Sequence, residues 1–145
     1  MSLAGADLLV QTLAGIEAGT IHPQPQDNPQ ASLAPILKKE DGEVDWSWPA
    51  LKIFNRARGF LPWPGAYSYF RGQLFHIWKA RVAEQPGQGA PGRLIPLKRR
   101  LLVSAGEASA LELIEVQIEG RKRMPAEAFL NGHHLEENEI LHAPR

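Results

Sequence analysis

Leu9, Leu13 and Ile16 recur at helical spacing, and Gly19 follows them. That spacing puts the three on one face of a helix over residues 5–18, which a glycine is suited to end. Pro23, Pro25 and Pro29 then forbid helix and make an extended connector of the stretch from Ile21. Periodicity resumes in a body that begins near Val44. Ser47 reads as a helix cap, Pro49 suits the first turn, and Leu51, Phe54 and Ala57 mark an inner face. Lys52 and Arg56 share the outer face, where like charges one turn apart repel mildly and gain the helix nothing. Gly59 and the run Pro62-Trp63-Pro64-Gly65 end it.

From there the period shortens to that of a strand. Ala66–Phe70 and Leu74–Val82 read as strands joined by an Arg71-Gly72 hairpin. Strict alternation along the second places Leu74, His76, Trp78, Ala80 and Val82 on one face, and Phe75, Ile77, Lys79 and Arg81 on the other. Lys79 and Arg81 then stand about 7 Å apart on the same side. A Gly/Pro-rich loop, Gln85–Gly92, leads to short apolar segments at Leu94–Ile95, Leu101–Val103 and Ala110–Ile118, and Pro125–Leu130 reads as a closing helix. The pattern predicts a mainly β protein with short helices: an OB-like β-barrel preceded by an N-terminal helix and an extended linker. The expected divisions are a terminal helix over 1–20, a Pro-rich linker over 21–45 and the barrel over 46–145. A helix set apart by such a linker has few neighbours on which to bury its apolar stripe. Either it docks back on the body or, the favoured expectation, it packs on a partner missing from this chain, with the N-terminus a cut made inside a larger protein.

Composition narrows the class. The 145 residues include no cysteine, so disulfides, thiolate zinc sites and a thiol nucleophile are excluded. No apolar run approaches the length of a membrane span, and no basic-then-apolar leader opens the chain, so no membrane partner and a cytoplasmic protein are expected. One domain with a real core fits the length, and a monomer is the expectation.

Charge changes the picture more. The formal net charge is +0, yet ten Lys or Arg stand against one acidic residue, Glu84, between Trp46 and Gly106. The segment before holds two basic and seven acidic residues, and the segment after four and eight. Trp46 opens this basic middle, and Trp48, Trp63 and Trp78 lie inside it. Positive charge clustered with aromatic side chains is the footprint of a phosphate-rich partner; a solvated basic face is the alternative. The tripeptides Lys98-Arg99-Arg100 and Arg121-Lys122-Arg123 add to Lys79, Arg81, Lys52 and Arg56, without showing that they converge.

Catalytic chemistry is sparse. His76 on a strand reads as an interior or edge residue. His134, Glu137 and His142 match no standard ligand spacing, and no metal site is expected. Asp41, Glu43 and Asp45 read as solvated charges at the start of the body. No phosphate-binding loop, dinucleotide fingerprint or nucleophile elbow is present, so no catalytic residue is assigned.

Several motifs in order then carry a resemblance. They are Gln26-Asp27; Ala34 through Trp46 (Ala-Pro-Ile-Leu-Lys-Lys-Glu-Asp-Gly-Glu-Val-Asp-Trp); Arg56-Ala57-Arg58-Gly59-Phe60; Pro62 through Ala66; Ile77-Trp78-Lys79-Ala80; Leu111-Glu112-Leu113 with Gln117; Gly120 through Met124; and Phe129-Leu130. Together they resemble the C-terminal part of the methionyl-tRNA formyltransferases, from the last helix of the catalytic domain through the linker. Ser32-Leu33 departs from a Thr-Tyr pair common there, and the ending Asn138–Leu141 is more acidic than usual.

The resemblance implies a fragment. That family moves a formyl group from 10-formyltetrahydrofolate to the methionine of initiator methionyl-tRNA in translation initiation. Its folate site and its Asn, His and Asp lie in an N-terminal catalytic domain that has no counterpart here. What remains is the OB-like tRNA-binding half, expected to be inactive alone and to hold no cofactor. The expected phosphate contacts are Lys52, Arg56, Lys79, Arg81, Lys98, Arg99, Arg100, Arg121, Lys122 and Arg123. Rival readings are the structural barrel of an amino-sugar nucleotide formyltransferase or of a formyltetrahydrofolate dehydrogenase, against both of which the basic excess argues, or a basic module for an acidic protein.

Overall fold

The computed structural model of the chain describes residues 2–142; residue 1 and residues 143–145, at the ends of the expected first and last divisions, lie outside the described residues. Contacts divide the chain into two units, Met1–Pro35 and Ile36–Arg145. The first contains α1 (Ser2–Glu17), which has no buried residue. Gly19, at φ 67°, follows its last turn, the left-handed position that a glycine fills without strain. Leu9, Leu13 and Ile16 are all exposed, so the apolar stripe forms on the helix and stays uncovered.

The second unit begins with the segment expected to be linker. Lys39–Gly42 forms a 3₁₀ turn, and the Val44 amide donates to the Tyr67 carbonyl at 2.9 Å. The unit then runs α2 (Ala50–Gly59), β1 (Ala66–Phe70), β2 (Gln73–Val82), β3 (Leu94–Leu97), β4 (Arg100–Ser104), β5 (Ala110–Ile118), β6 (Met124–Pro125) and α3 (Ala126–Gly132). The strands make one antiparallel sheet in the order β1-β2-β5-β4-β3, with β6 added to β5. The protein is mainly β with short helices, as the alternation predicts, but the sheet does not close into a barrel. Its two outer edges are instead both approached by residues 139–142. Tyr69 and His142 exchange two backbone hydrogen bonds of 3.0 Å, the Leu94 amide donates to the Glu139 carbonyl at 2.8 Å, and the Leu141 amide donates to the Gly92 carbonyl at 2.9 Å. Gly92 sits at φ +86, and a Cβ there would meet the Leu141 carbonyl oxygen at 2.7 Å, so only glycine allows this approach. Buried Ser68 secures the same segment from inside: its hydroxyl donates to the His142 carbonyl (3.0 Å) and accepts from the Trp46 indole (3.1 Å).

Three sequence expectations are corrected. Ser47 does not cap α2; its hydroxyl donates to the Asp45 carboxylate at 2.6 Å, and the first helical amide, on Ala50, donates to the Ser109 hydroxyl at 2.8 Å. A residue far along the chain therefore does the work of a local cap. Leu51 is exposed, and Ala50 and Ile53 form the buried face of α2. In β2, Lys79 and Arg81 do not share the face of Phe75 and Ile77. The register shifts between Ile77 and Lys79 and again between Lys79 and Ala80, so the alternation changes phase at a β-bulge beside Trp78. Phe75 and Ile77 point into the core, Ala80 packs against it after the bulge, and Lys79 and Arg81 stand outside.

The core lies between the sheet and the two helices. Phe129 of α3 meets Phe70 and Phe75 edge-on at 5.1 and 5.3 Å between ring centroids. Leu101, Val103, Leu111, Leu113 and Val116 complete it from β4 and β5.

Candidate nucleic-acid interface

The cations expected to meet phosphate fall into separate groups. The first gathers on Trp78. The Arg123 guanidinium lies 3.7 Å from the Trp78 ring centroid and 3.8 Å from the Glu115 carboxylate. The Trp78 indole donates to Gln117 Oε1 at 2.9 Å, and the Gln117 amide donates to the Arg121 carbonyl at 2.8 Å. One side chain of β5 thus ties the turn bearing Arg121, Lys122 and Arg123 to the strand bearing Lys79. Lys79, Arg121 and Lys122 are exposed and have no ion-pair partner among the described residues. His76 continues this surface, 5.8 Å from Trp78 between ring centroids; its burial, then the Lys39 charge, hold its pKa below the usual imidazole value. It is therefore neutral at pH 7 and adds no positive charge.

Arg81 and Arg100 form the second group, and they converge on one carboxylate on the outer side of the sheet. Arg81 grips the Glu112 carboxylate through Nε (2.8 Å) and Nη2 (3.0 Å), and Arg100 Nη2 reaches the same carboxylate at 2.5 Å. Glu112 is only 5% exposed. Its burial raises the carboxyl pKa, but the hydrogen bonds from Arg100 and Arg81 outweigh that and hold it below the ordinary value. The pair neutralises a buried charge before it offers any to a ligand.

Lys52 and Arg56 form the third group, over Trp48. Lys52 Nζ is 3.6 Å from the Trp48 centroid and the Arg56 guanidinium 5.3 Å from it. Arg56 also donates to the Asp41 carbonyl at 3.0 and 3.2 Å, which ties α2 to the 3₁₀ turn. The electronegative partner that their spacing invites is supplied by the indole face and by Asp41. Lys98, at φ 55°, and Arg99 occupy the β3–β4 hairpin tip, where Arg99 pairs with Glu127 of α3.

Two of the three carboxylates of the 41–45 stretch serve the backbone: Asp41 accepts from the Lys38 amide (2.7 Å) and Asp45 from the Ser47 amide (2.9 Å). No group of three or more His, Cys, Asp or Glu side chains stands together in metal-holding geometry among the described residues. Arg58, like Arg71 and Arg93, is a cation of the basic segment outside the expected phosphate contacts. It lies near the C-terminal end of α2 beside Lys79, and its Nε donates to the uncharged Asn55 side chain at 3.0 Å. Its signal was present in Arg56-Ala57-Arg58, but only the strand bulge brings Lys79 round to the same side.

The family described as formyl transferase, C-terminal domain, matches residues 36–134. The methionyl-tRNA formyltransferase of Solibacter usitatus is 60% identical over 141 residues, which are 97% of this chain and 45% of that protein. Those of Koribacter versatilis and Bacillus subtilis are 52% and 37% identical, over 89% and 97% of this chain and 41% and 45% of theirs. The chain thus spans under half the length of these relatives. Among solved structures, HypX from Aquifex aeolicus in complex with tetrahydrofolic acid aligns with a TM-score of 0.54 at 21% identity, over 86% of this chain and 22% of that one. At that identity the likeness is one of fold.

Proposed function

The chain belongs to the formyl transferase C-terminal domain family, and from that premise we propose that it is the tRNA-holding part of a methionyl-tRNA formyltransferase. The parent enzyme formylates the methionine of initiator methionyl-tRNA, with 10-formyltetrahydrofolate as donor, in translation initiation in the cytoplasm. On this reading the chain supplies no catalytic residue, holds no folate and works as a monomer beside an N-terminal catalytic domain. The relatives' names support the substrate, and the tetrahydrofolic acid bound by HypX fits a folate donor. The exposed stripe Leu9, Leu13 and Ile16 fits a helix that packs on the catalytic domain. The divisions on this proposal are that helix within 1–20, the linker over 21–45 and the tRNA-binding body over 46–145, with residues 36–45 packed onto the body.

The observation that carries the proposal is the convergence at Trp78. Lys79, Arg121, Lys122 and Arg123 come from two elements held together by Gln117, and three of the four have no internal counter-ion among the described residues. Cations so placed contact phosphates, which fix position and carry no sequence information. Lys52 and Lys98 are exposed and offer further phosphate contacts apart from that cluster; Arg56, Arg81, Arg99 and Arg100 contribute charge from within ion pairs. Initiator and elongator tRNAs should therefore bind the isolated chain alike.

The test is tRNA binding at several salt concentrations with Lys79→Ala and Lys122→Ala combined. Both side chains are exposed and unpaired, so the fold should tolerate their loss. Affinity should fall roughly tenfold at low salt, and the slope of log K against log salt should become shallower by about 1.5, the loss of two phosphate contacts. Unchanged affinity and slope would overturn the assignment.

A further inference from the structure

We propose that the groove between α2 and β2 receives one unpaired nucleobase of a bound RNA, with the flanking phosphates on Arg58 and Lys79. The inference rests on the tRNA-holding reading and adds to it a place for a base. The groove has a volume of about 280 Å³. Phe54 and Ala57 line it from α2, Trp78 and Ala80 from β2, and Leu61, 43% exposed, from the turn between them. The bulge in β2 is what assembles it: Ala80 turns toward the core and leaves space above its methyl group, while Lys79 moves out to the rim.

The chemistry selects the occupant. The walls are aliphatic and aromatic, and no carboxylate lines them. The two charged side chains at the groove are both positive, and neither has an ion-pair partner among the described residues. The Arg58 guanidinium leans over Phe54 at 5.9 Å from its centroid. An apolar slot beside aromatic rings takes a flat π-system, and cations at its rim take the charge that such a group carries when it is a nucleotide. A base inside a duplex is already stacked and paired, so only an unpaired one can enter.

The test uses the 145-residue chain labelled for NMR, with the Ala57 and Ala80 methyl groups and the Trp78 indole as reporters. It is titrated separately with hexauridylate, with an abasic oligomer of the same phosphate number, and with a blunt RNA duplex. Hexauridylate should shift all three reporters, whereas the abasic oligomer and the duplex should bind without moving the methyl groups. Ala57→Leu, which fills the groove, should weaken hexauridylate about tenfold and leave the abasic oligomer unchanged. Equal methyl shifts with the abasic oligomer would overturn the base site and leave phosphate holding intact. Binding of none of the three, and of no tRNA, would overturn both readings. Methyl shifts with an acidic, leucine-containing peptide and none with hexauridylate would assign the groove to a protein and overturn the proposal.

Discussion

Phe129→Ala is expected to lower the stability of the body by about 3–5 kcal/mol, the cost of deleting a buried phenyl ring and leaving its cavity. Phe129 is 0% exposed, sits edge-on to Phe70 and Phe75, and lies 4.6 Å from the His133 ring in a stacked pair. The helix that carries it, α3, spans seven residues, too short to hold together unaided. Its place over the sheet depends on Phe129 and Ala126, so the lost ring also releases the helix. Urea unfolding followed by fluorescence would measure the loss, with exposed Ala128→Ser as a control that leaves the midpoint unmoved. A loss below about 1 kcal/mol would mean that α3 is held in some other way.

Glu112→Ala is also expected to lower stability, because it leaves Arg81 and Arg100 facing each other without the charge between them, a loss softened by the water that reaches both guanidinium groups. Arg100 is the more exposed to harm in this sense, since its Nε is already buried without a partner. The same carboxylate makes stability depend on pH. Its folded pKa is held below the ordinary value of 4.5, so the ionised form stabilises the folded state. That contribution is fully present above about pH 4.5 and is lost as pH falls through the depressed folded value. Glu139 acts in the same direction, its pKa lowered first by the hydrogen bond from Arg71. Unfolding free energy measured from pH 7 to pH 3 should therefore decline at the acid end. In Glu112→Gln the decline should be smaller, from a lower starting value. Parallel curves for the two proteins would remove Glu112 from the account.

Much of the fold is legible in the sequence because its signals are local. The strand segments Ala66–Phe70 and Ala110–Ile118, the Arg71-Gly72 turn and the stop at Gly19 each depend on a few neighbouring residues, and the structure keeps them. What misleads is non-local. A period of two cannot reveal the bulge at Trp78, because the residues before and after it both alternate correctly, only out of phase. Nor can Ser47 reveal that Ser109, from the far side of the β4–β5 turn, takes its capping role. The charges behave likewise. The two basic tripeptides look equivalent along the chain, yet Gln117 draws Arg121–Arg123 to Trp78 while Glu112 and Glu127 occupy Arg100 and Arg99. A cation's partner is a property of the folded surface, and the sequence near it does not record which carboxylate will be within reach.

The strap formed by residues 139–142 has a consequence for colloidal behaviour. It occupies hydrogen-bonding groups of Tyr69 on one outer strand, and of Gly92 and Leu94 where the other begins. A bare strand edge is a template for the edge of another molecule. Loss of this strap after a cut at Asn138 would bare the Gly92–Leu94 side and leave the β1 side covered only where Val44 bonds Tyr67, so clipped molecules would gain edges through which to join. The turbidity of a concentrated, clipped sample would then rise more steeply than in proportion to its concentration, while intact protein stayed clear.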